Sequence, residues 1–120
     1  MSDGLPYDSD AGRNVAAAIT ALMTGRAYRQ SATIAAEATG PYDEYEKNRD
    51  AHNGVMRMHR DASYDIPSEG VKGELLAAAQ RSWDEAVELG EEHGYRNAQA
   101  TVLAPTGTIS FLMDLSLIHI

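Results

Sequence analysis

Two interruptions, Thr39-Gly40-Pro41 and the connector 63–67, cut most of this chain into long stretches whose apolar residues recur at helical spacing. That punctuation admits a small helical assembly and little else over the first three-quarters of the sequence. After a loop at 1–8, Ser9 or Asp10 can cap a helix whose stripe is Val15, Ile19 and Leu22. Alanines at 16, 17, 18 and 21 keep its other faces narrow, and Gly25 is a point of interruption. The pattern resumes through Ala27, Ser31, Ile34 and Ala38 and stops at Gly40 and Pro41. A second helix is predicted over 42–62, with Tyr45, His52, Val55, Met56, His59 and Ala62 on one side. A third is predicted over 68–92, with Leu76, Ala79, Trp83 and Val87 as its stripe and Gly94 just past its end.

Composition limits what these helices can do alone. The chain has 120 residues, of which 43% are hydrophobic, but it contains one Phe and one Trp. An independent domain of this size buries roughly two-thirds of its unfolded surface. Alanine-rich helices with few large anchors are better suited to packing against something bigger, which favours a fragment over a complete domain. A net charge of −8 repels nucleic-acid phosphates and anionic lipid, so direct nucleic-acid or membrane-surface binding is not expected. No apolar stretch reaches bilayer length and no signal-peptide pattern opens the chain, so a cytoplasmic protein is the default. With no cysteine, disulfides and thiolate metal sites within this chain are ruled out.

Past the third helix the period changes. The run 98–104 is short, apolar and partly β-branched, and reads as a buried strand. Pro105, Thr106, Gly107, Thr108, Ile109 and Ser110 then form a turn of small residues and hydroxyls, with a short helix predicted from Ile109. Gly107 would allow a ligand close to the backbone, and free amides at a following helix start would favour an anion. The same residues also make an ordinary strand-to-helix turn whose hydroxyls only cap. The lysine of a phosphate-binding P-loop and the spacing of a dinucleotide fingerprint are both missing.

Other candidates read as structural. His52 and His59 are two helical turns apart, wider than a metal pair one turn apart, and fit half-buried positions hydrogen-bonded in a helix interface. His93 suits a helix C-terminus, where the dipole favours a cation. Asp84, Glu85, Glu88, Glu91 and Glu92 form a solvated acidic face without the contrasting environments that acid–base catalysis needs. Met23, Met56 and Met58 read as core filler, and Tyr28, Tyr42 and Tyr45 as interface packing rather than a radical or stacking path. No serine has a recognisable histidine-and-acid partner set.

The stretch from Val102 through Ala104-Pro105-Thr106-Gly107-Thr108-Ile109-Ser110 to Asp114 resembles the substrate-phosphate loop of adenosylcobalamin-dependent (class II) ribonucleotide reductases. Gly4-Leu5-Pro6-Tyr7-Asp8-Ser9-Asp10, the run 17–25 and Tyr28 are similar to an upstream block of that family. So are Gly40-Pro41-Tyr42, Asn48 and Met58-His59-Arg60. These blocks occur in family order and extend over most of 4–114.

The resemblance implies a parent enzyme in which adenosylcobalamin generates a thiyl radical inside a ten-stranded α/β barrel, and ribonucleotides become deoxyribonucleotides for DNA synthesis. It implies a ribonucleoside-diphosphate reductase, with the triphosphate as the other substrate level left open. Residues 1–114 would be a fragment of the catalytic barrel, mainly α by itself, with three or four helices and one short strand. Thr106, Gly107, Thr108, Ile109 and Ser110 would bind the substrate phosphates. No catalytic residue, metal ligand or cobalamin contact is assignable, because the family's cysteines and the motif bearing them are missing here. The implied partners are the ribonucleotide and the rest of the reductase chain, in a parent that could itself be a homo-oligomer. The fragment alone would be inert and fold poorly. The alternative is a small acidic helical interaction module without enzymatic activity. Residues 115–120 do not continue the family pattern; one reverse translation of them matches a transposon-type sequencing adapter, so they are expected to be an artefact. Met1 is equally doubtful as a natural start.

Overall fold

The computed structural model describes residues 9–101. Three helices make up most of them: α1 (Asp10–Ile34), α2 (Tyr45–Tyr64) and α3 (Gly73–His93). Ser9 caps α1, its hydroxyl accepting from the Gly12 amide at 3.0 Å. At its far end α1 widens into one π-helical turn, Ala35–Thr39, which stops where Gly40 takes φ +77° and donates its amide to Ala35 O. Among the described residues there is no strand.

Helix α3 is the centre of the assembly. Helix α1 packs along it extensively and α2 packs across it, while α1 and α2 barely meet. The close approach of α1 and α3 comes from small residues: Ala18 and Ala32 on one side, Ala79 and Ala86 on the other, all fully buried. At Gly25 a Cβ would stand 3.0 Å from Trp83 Cδ1, so its lack of a side chain lets the indole lie against the helix. The interruption expected at Gly25 is therefore absent, and its role is close packing. Around Trp83 the core gathers Tyr28, Tyr45, Met56, Val87 and Tyr95. Burying each large ring contributes roughly 2–3 kcal/mol.

Several expectations are corrected. The buried stripe of α1 is Gly12, Val15, Ala18, Gly25, Tyr28 and Ala32; Ile19 lies off it, 50% exposed. Alanine and glycine, weak in any apolar pattern, win this face because α3 comes too close for isoleucine. Met23 and Met58 are exposed and only Met56 is core. Helix α2 starts at Tyr45 rather than 42: the Tyr42 carbonyl accepts from the Tyr45 amide at 3.0 Å, closing a turn before the helix, and the Tyr42 amide donates to Tyr95 O at 3.0 Å. It places Val55, His59 and Ala62 away from its buried side, where Asn53 and Ser63 sit instead. Helix α3 starts at Gly73 rather than 68. Residues 68–71 form a turn closed by Val71 N donating to Ser68 O, and Gly70 adopts φ +78° where a Cβ would strike Ala11. The strand predicted over 98–104 does not form over 98–101, where the Ala100 amide goes to a side-chain hydroxyl; 102–104 and the helix predicted from Ile109 lie outside the described residues. Of the stripe expected on α3, Ala79, Trp83 and Val87 are buried and Leu76 is half-buried.

The acidic face is partly engaged. Glu85 pairs with Arg29 of α1 at 2.5 Å, Glu91 pairs with Arg57 of α2, and Asp84 accepts from the Tyr64 hydroxyl. The two ion pairs are roughly half solvated and contribute about 1 kcal/mol or less each.

Candidate functional site

The residues expected to hold phosphate, Thr106, Gly107, Thr108, Ile109 and Ser110, lie outside the described residues. What the structure describes is the segment leading to them. Helix α3 ends at Gly94, which takes φ +77° and donates its amide to Gly90 O at 2.8 Å. A Cβ at Gly94 would come within 2.9 Å of both Pro41 and Tyr45, so glycine is required by angle and by space.

Residues 95–100 then run along the far half of α1, held by polar contacts at nearly every step. The Tyr95 ring is fully buried, and its hydroxyl donates to Ala86 O at 2.9 Å. Burial pushes the Tyr95 hydroxyl far above the usual tyrosine range, so it stays protonated as a donor. The Arg96 amide donates to Ser31 O at 3.1 Å, and its guanidinium reaches Pro41 O at 3.1 Å. Ser31 Oγ accepts from the Asn97 amide and donates to Asn97 Oδ1, both at 2.9 Å. Tyr28 Oη accepts from the Ala100 amide at 3.2 Å. One turn of α1, Tyr28 to Ser31, thus sets the register of the chain approaching Thr101.

A second polar cluster braces the loop before α2. Tyr42 Oη and His52 Nδ1 share a 2.8 Å hydrogen bond, and the His52 ring stacks on Tyr95 with centroids 4.7 Å apart. Tyr45 Oη donates to Gly90 O at 3.2 Å and accepts from Asn53 Nδ2 at 3.0 Å. His52 Nε2 and Asn53 Oδ1 are buried with no hydrogen-bond partner among the described residues. His52 fits the helix-interface role expected of it; His59 is instead exposed, its ring tilted against Trp83. His93 sits in the last turn of α3, where the helix is closed by the Gly94 amide on Gly90 O.

Burial lowers the pKa of His52 below the ordinary 6.5. The unfolded chain therefore binds this proton at a higher pH than the folded one. The contribution to stability is complete above about pH 6.5 and is lost as pH falls from there through the lowered folded value. In the full-length parent, the protection factors of the α2 amides, corrected for intrinsic exchange, should fall between pH 7 and 5. A His52→Gln variant should lose that pH dependence.

Two clefts open beside the segment, of 590 and 390 Å³, joined through shared lining by Tyr28, His59 and Gln99. Ala21 and Thr24 of α1 line the larger one together with Trp83 and Thr101. No group of three or more His, Cys, Asp or Glu capable of holding a metal occurs among the described residues. No described helix is long and apolar enough to cross a membrane.

Missing from the sequence reading were Ser31 as a clamp, Tyr95 and Arg96. A Tyr-Arg-Asn run directly after a helix stop was the available signal, but apart from Ala86 its hydrogen-bond partners lie 53 or more residues away. A helical unit that buries small faces and presents a fixed connecting segment beside an uncharged groove suits a piece of a larger fold.

Comparison with known proteins places it in one. The family model described as ribonucleotide reductase, barrel domain, matches residues 1–117. The vitamin B12-dependent ribonucleotide reductase of Rhodopirellula baltica is 53% identical over 114 residues, which cover 95% of this chain and 11% of that protein. The protein of the same name from Agrobacterium fabrum is 48% identical over 130 residues, covering 95% and 10%. That of Streptantibioticus cattleyicolor is 50% identical over 115 residues, covering 95% and 19%. The chain belongs to the ribonucleotide reductase barrel-domain family, and it spans between a tenth and a fifth of the length of these relatives.

Proposed function

We propose that this chain is a segment of an adenosylcobalamin-dependent ribonucleotide reductase and supplies its substrate-phosphate loop together with helices that pack on the barrel. The observation carrying this reading is near-half identity, over 95% of the chain, to reductases named as vitamin B12-dependent. In this reading α1 and α3 form a rigid base, and the clamped segment 95–100 hands the chain on in fixed register. The amides and hydroxyls of Thr106, Gly107, Thr108, Ile109 and Ser110 then hold the phosphates of a ribonucleotide. Dispersed N–H donors suit a multivalent anion without a lysine, and fixing that end orients the ribose for reaction elsewhere in the parent.

Adenosylcobalamin supplies the radical chemistry when bound to the parent. No seat for it is assigned among the described residues: the clefts are lined mainly by small, apolar and aromatic side chains, with His52 and His59 among them and no Lys or Arg. With no cysteine, this chain can bind and position but cannot relay reducing electrons, so the segment alone is inert. The working location is the cytoplasm, where ribonucleotides are reduced for DNA synthesis.

The test is a turnover assay on the full-length enzyme. Deoxyribonucleotide should form from ribonucleotide only when adenosylcobalamin is added, and the 120-residue chain should give none under the same conditions. Turnover independent of the cobalamin would overturn the cofactor assignment.

A further inference from the structure

We propose that Ser31, on the buried face of α1, is a positioning residue for substrate: acting through Asn97, it sets the affinity for the phosphates of the ribonucleotide. The proposal rests on the reading of Thr106–Ser110 as the phosphate loop and assigns a residue in a distant helix that controls it. The Ser31 hydroxyl is placed for contact rather than for packing. Ser31 is buried among Tyr28, Ala32 and Ala35 on a face made largely of small residues, where alanine would fit and would favour the helix more. A hydroxyl within a helix ordinarily turns back to a carbonyl of the preceding turn, and Thr33 does so, donating to Arg29 O at 2.9 Å. Ser31 instead donates to Asn97 Oδ1 and accepts from the Asn97 amide, both at 2.9 Å. Its carbonyl accepts from the Arg96 amide at 3.1 Å. One helical residue thus holds two consecutive residues of the segment that leads to the loop.

The segment runs back along α1, with Asn97 on Ser31 and Ala100 on the Tyr28 hydroxyl one turn earlier. Only residues 101–105 separate Ala100 from Thr106, so Thr106 starts within about 20 Å of that contact. If Asn97 slips from Ser31, those few residues start from a different place. Backbone amides that hold an anion must be presented together. Their apparent affinity therefore falls in proportion to the fraction of molecules in the correct register. Removing the Ser31 hydroxyl deletes two neutral hydrogen bonds, each worth a factor of roughly two to ten in such an equilibrium. Asn97 is exposed, so water satisfies the groups it loses and the packing of α1 on α3 is kept. The loss falls on register.

The test is made on the full-length enzyme by equilibrium dialysis with two probes, the ribonucleotide and inorganic pyrophosphate, which carries the phosphates alone. Ser31→Ala should weaken both by the same factor, roughly five- to twentyfold. Binding of adenosylcobalamin, and kcat at saturating substrate, should stay within twofold of wild type. Thr33→Ala is the matched control, because its hydroxyl is bonded within its own helix, and it should change neither probe. Asn97→Ala keeps the backbone contact and should weaken both probes by a smaller factor. Added to Ser31→Ala it should weaken them no further, since the two side chains act as one contact. Wild-type affinity in Ser31→Ala, an equal loss for adenosylcobalamin, or additive losses in the double variant would each overturn the proposal. A wild-type enzyme that makes no deoxyribonucleotide with adenosylcobalamin counts against the reductase reading. Normal turnover with unchanged binding of both probes in Ser31→Ala counts against the role of Ser31 alone.

Discussion

Replacing Gly90 with valine should detach the 94–101 segment from α3 and abolish the fixed approach to the proposed phosphate loop. A Cβ built at Gly90 falls 2.0 Å from both Cζ and Oη of Tyr95, far inside contact distance. The ring cannot shift slightly to make room, since it is fully buried, stacked on His52 and edge-on to Tyr28. It must leave its pocket. Expelling an aromatic ring from a packed core costs about 3–5 kcal/mol, and here the hydrogen bond from Tyr95 Oη to Ala86 O is lost as well. Hydrogen exchange in the full-length enzyme should show the amides of Gly94, Arg96 and Asn97 exchanging at least a hundredfold faster. Gly54→Ala is the matched control, because nothing lies within 4 Å of its added Cβ. In the interior of α2 that change should be neutral or stabilising by up to about 1 kcal/mol. Equal protection in wild type and Gly90→Val would refute the packing described around Tyr95.

Gly107→Val in the full-length enzyme should weaken ribonucleotide binding roughly tenfold to a hundredfold, which is about 1.4–2.8 kcal/mol. A branched side chain beside the phosphate-binding amides keeps the anion from approaching the backbone and restricts the φ range that glycine allows. The loss should be selective. Binding of an allosteric effector, measured on the same preparation by equilibrium dialysis, should change less than twofold. Equal losses for substrate and effector would mean that the substitution disturbs the enzyme generally, and would remove the phosphate role from Thr106–Ser110. Gly90→Val and Gly107→Val separate the two halves of the proposed function: the first disorders the approach to the loop, the second blocks the loop itself.

The ability to read this fold from its sequence varied from element to element for identifiable reasons. Helix α3 was legible because Ala79, Trp83 and Val87 follow the helical period and are buried by it. The Ser9 cap and the stops at Gly40 and Gly94 were legible because they depend on neighbours a few residues away. Helix α1 was misread along its face, since its buried positions are glycine and alanine while the conspicuous Ile19 points outward. An apolar pattern reports which residues are large, whereas a tightly packed helix pair selects those that are small. The start of α2 was misplaced because residues 42–45 form a turn closed by Tyr45 N and Tyr42 O and anchored to Tyr95, more than fifty residues away.

The sequence by itself determined the three helices, most of their stops, and membership of the reductase family through blocks that recur in order. It also pointed to Thr106–Ser110 as the proposed phosphate loop. Tertiary structure decided how the chain is brought towards that loop: Tyr28 and Ser31 clamp Asn97 and Ala100, Tyr95 fills the hollow left by Gly90, and an uncharged groove opens where α1 and α2 fail to meet. The reason is one of range. Caps, turns and helical period arise from residues within a turn or two of each other. A clamp between positions 31 and 97, or a hollow shaped for one ring, exists only after distant parts of the chain have packed.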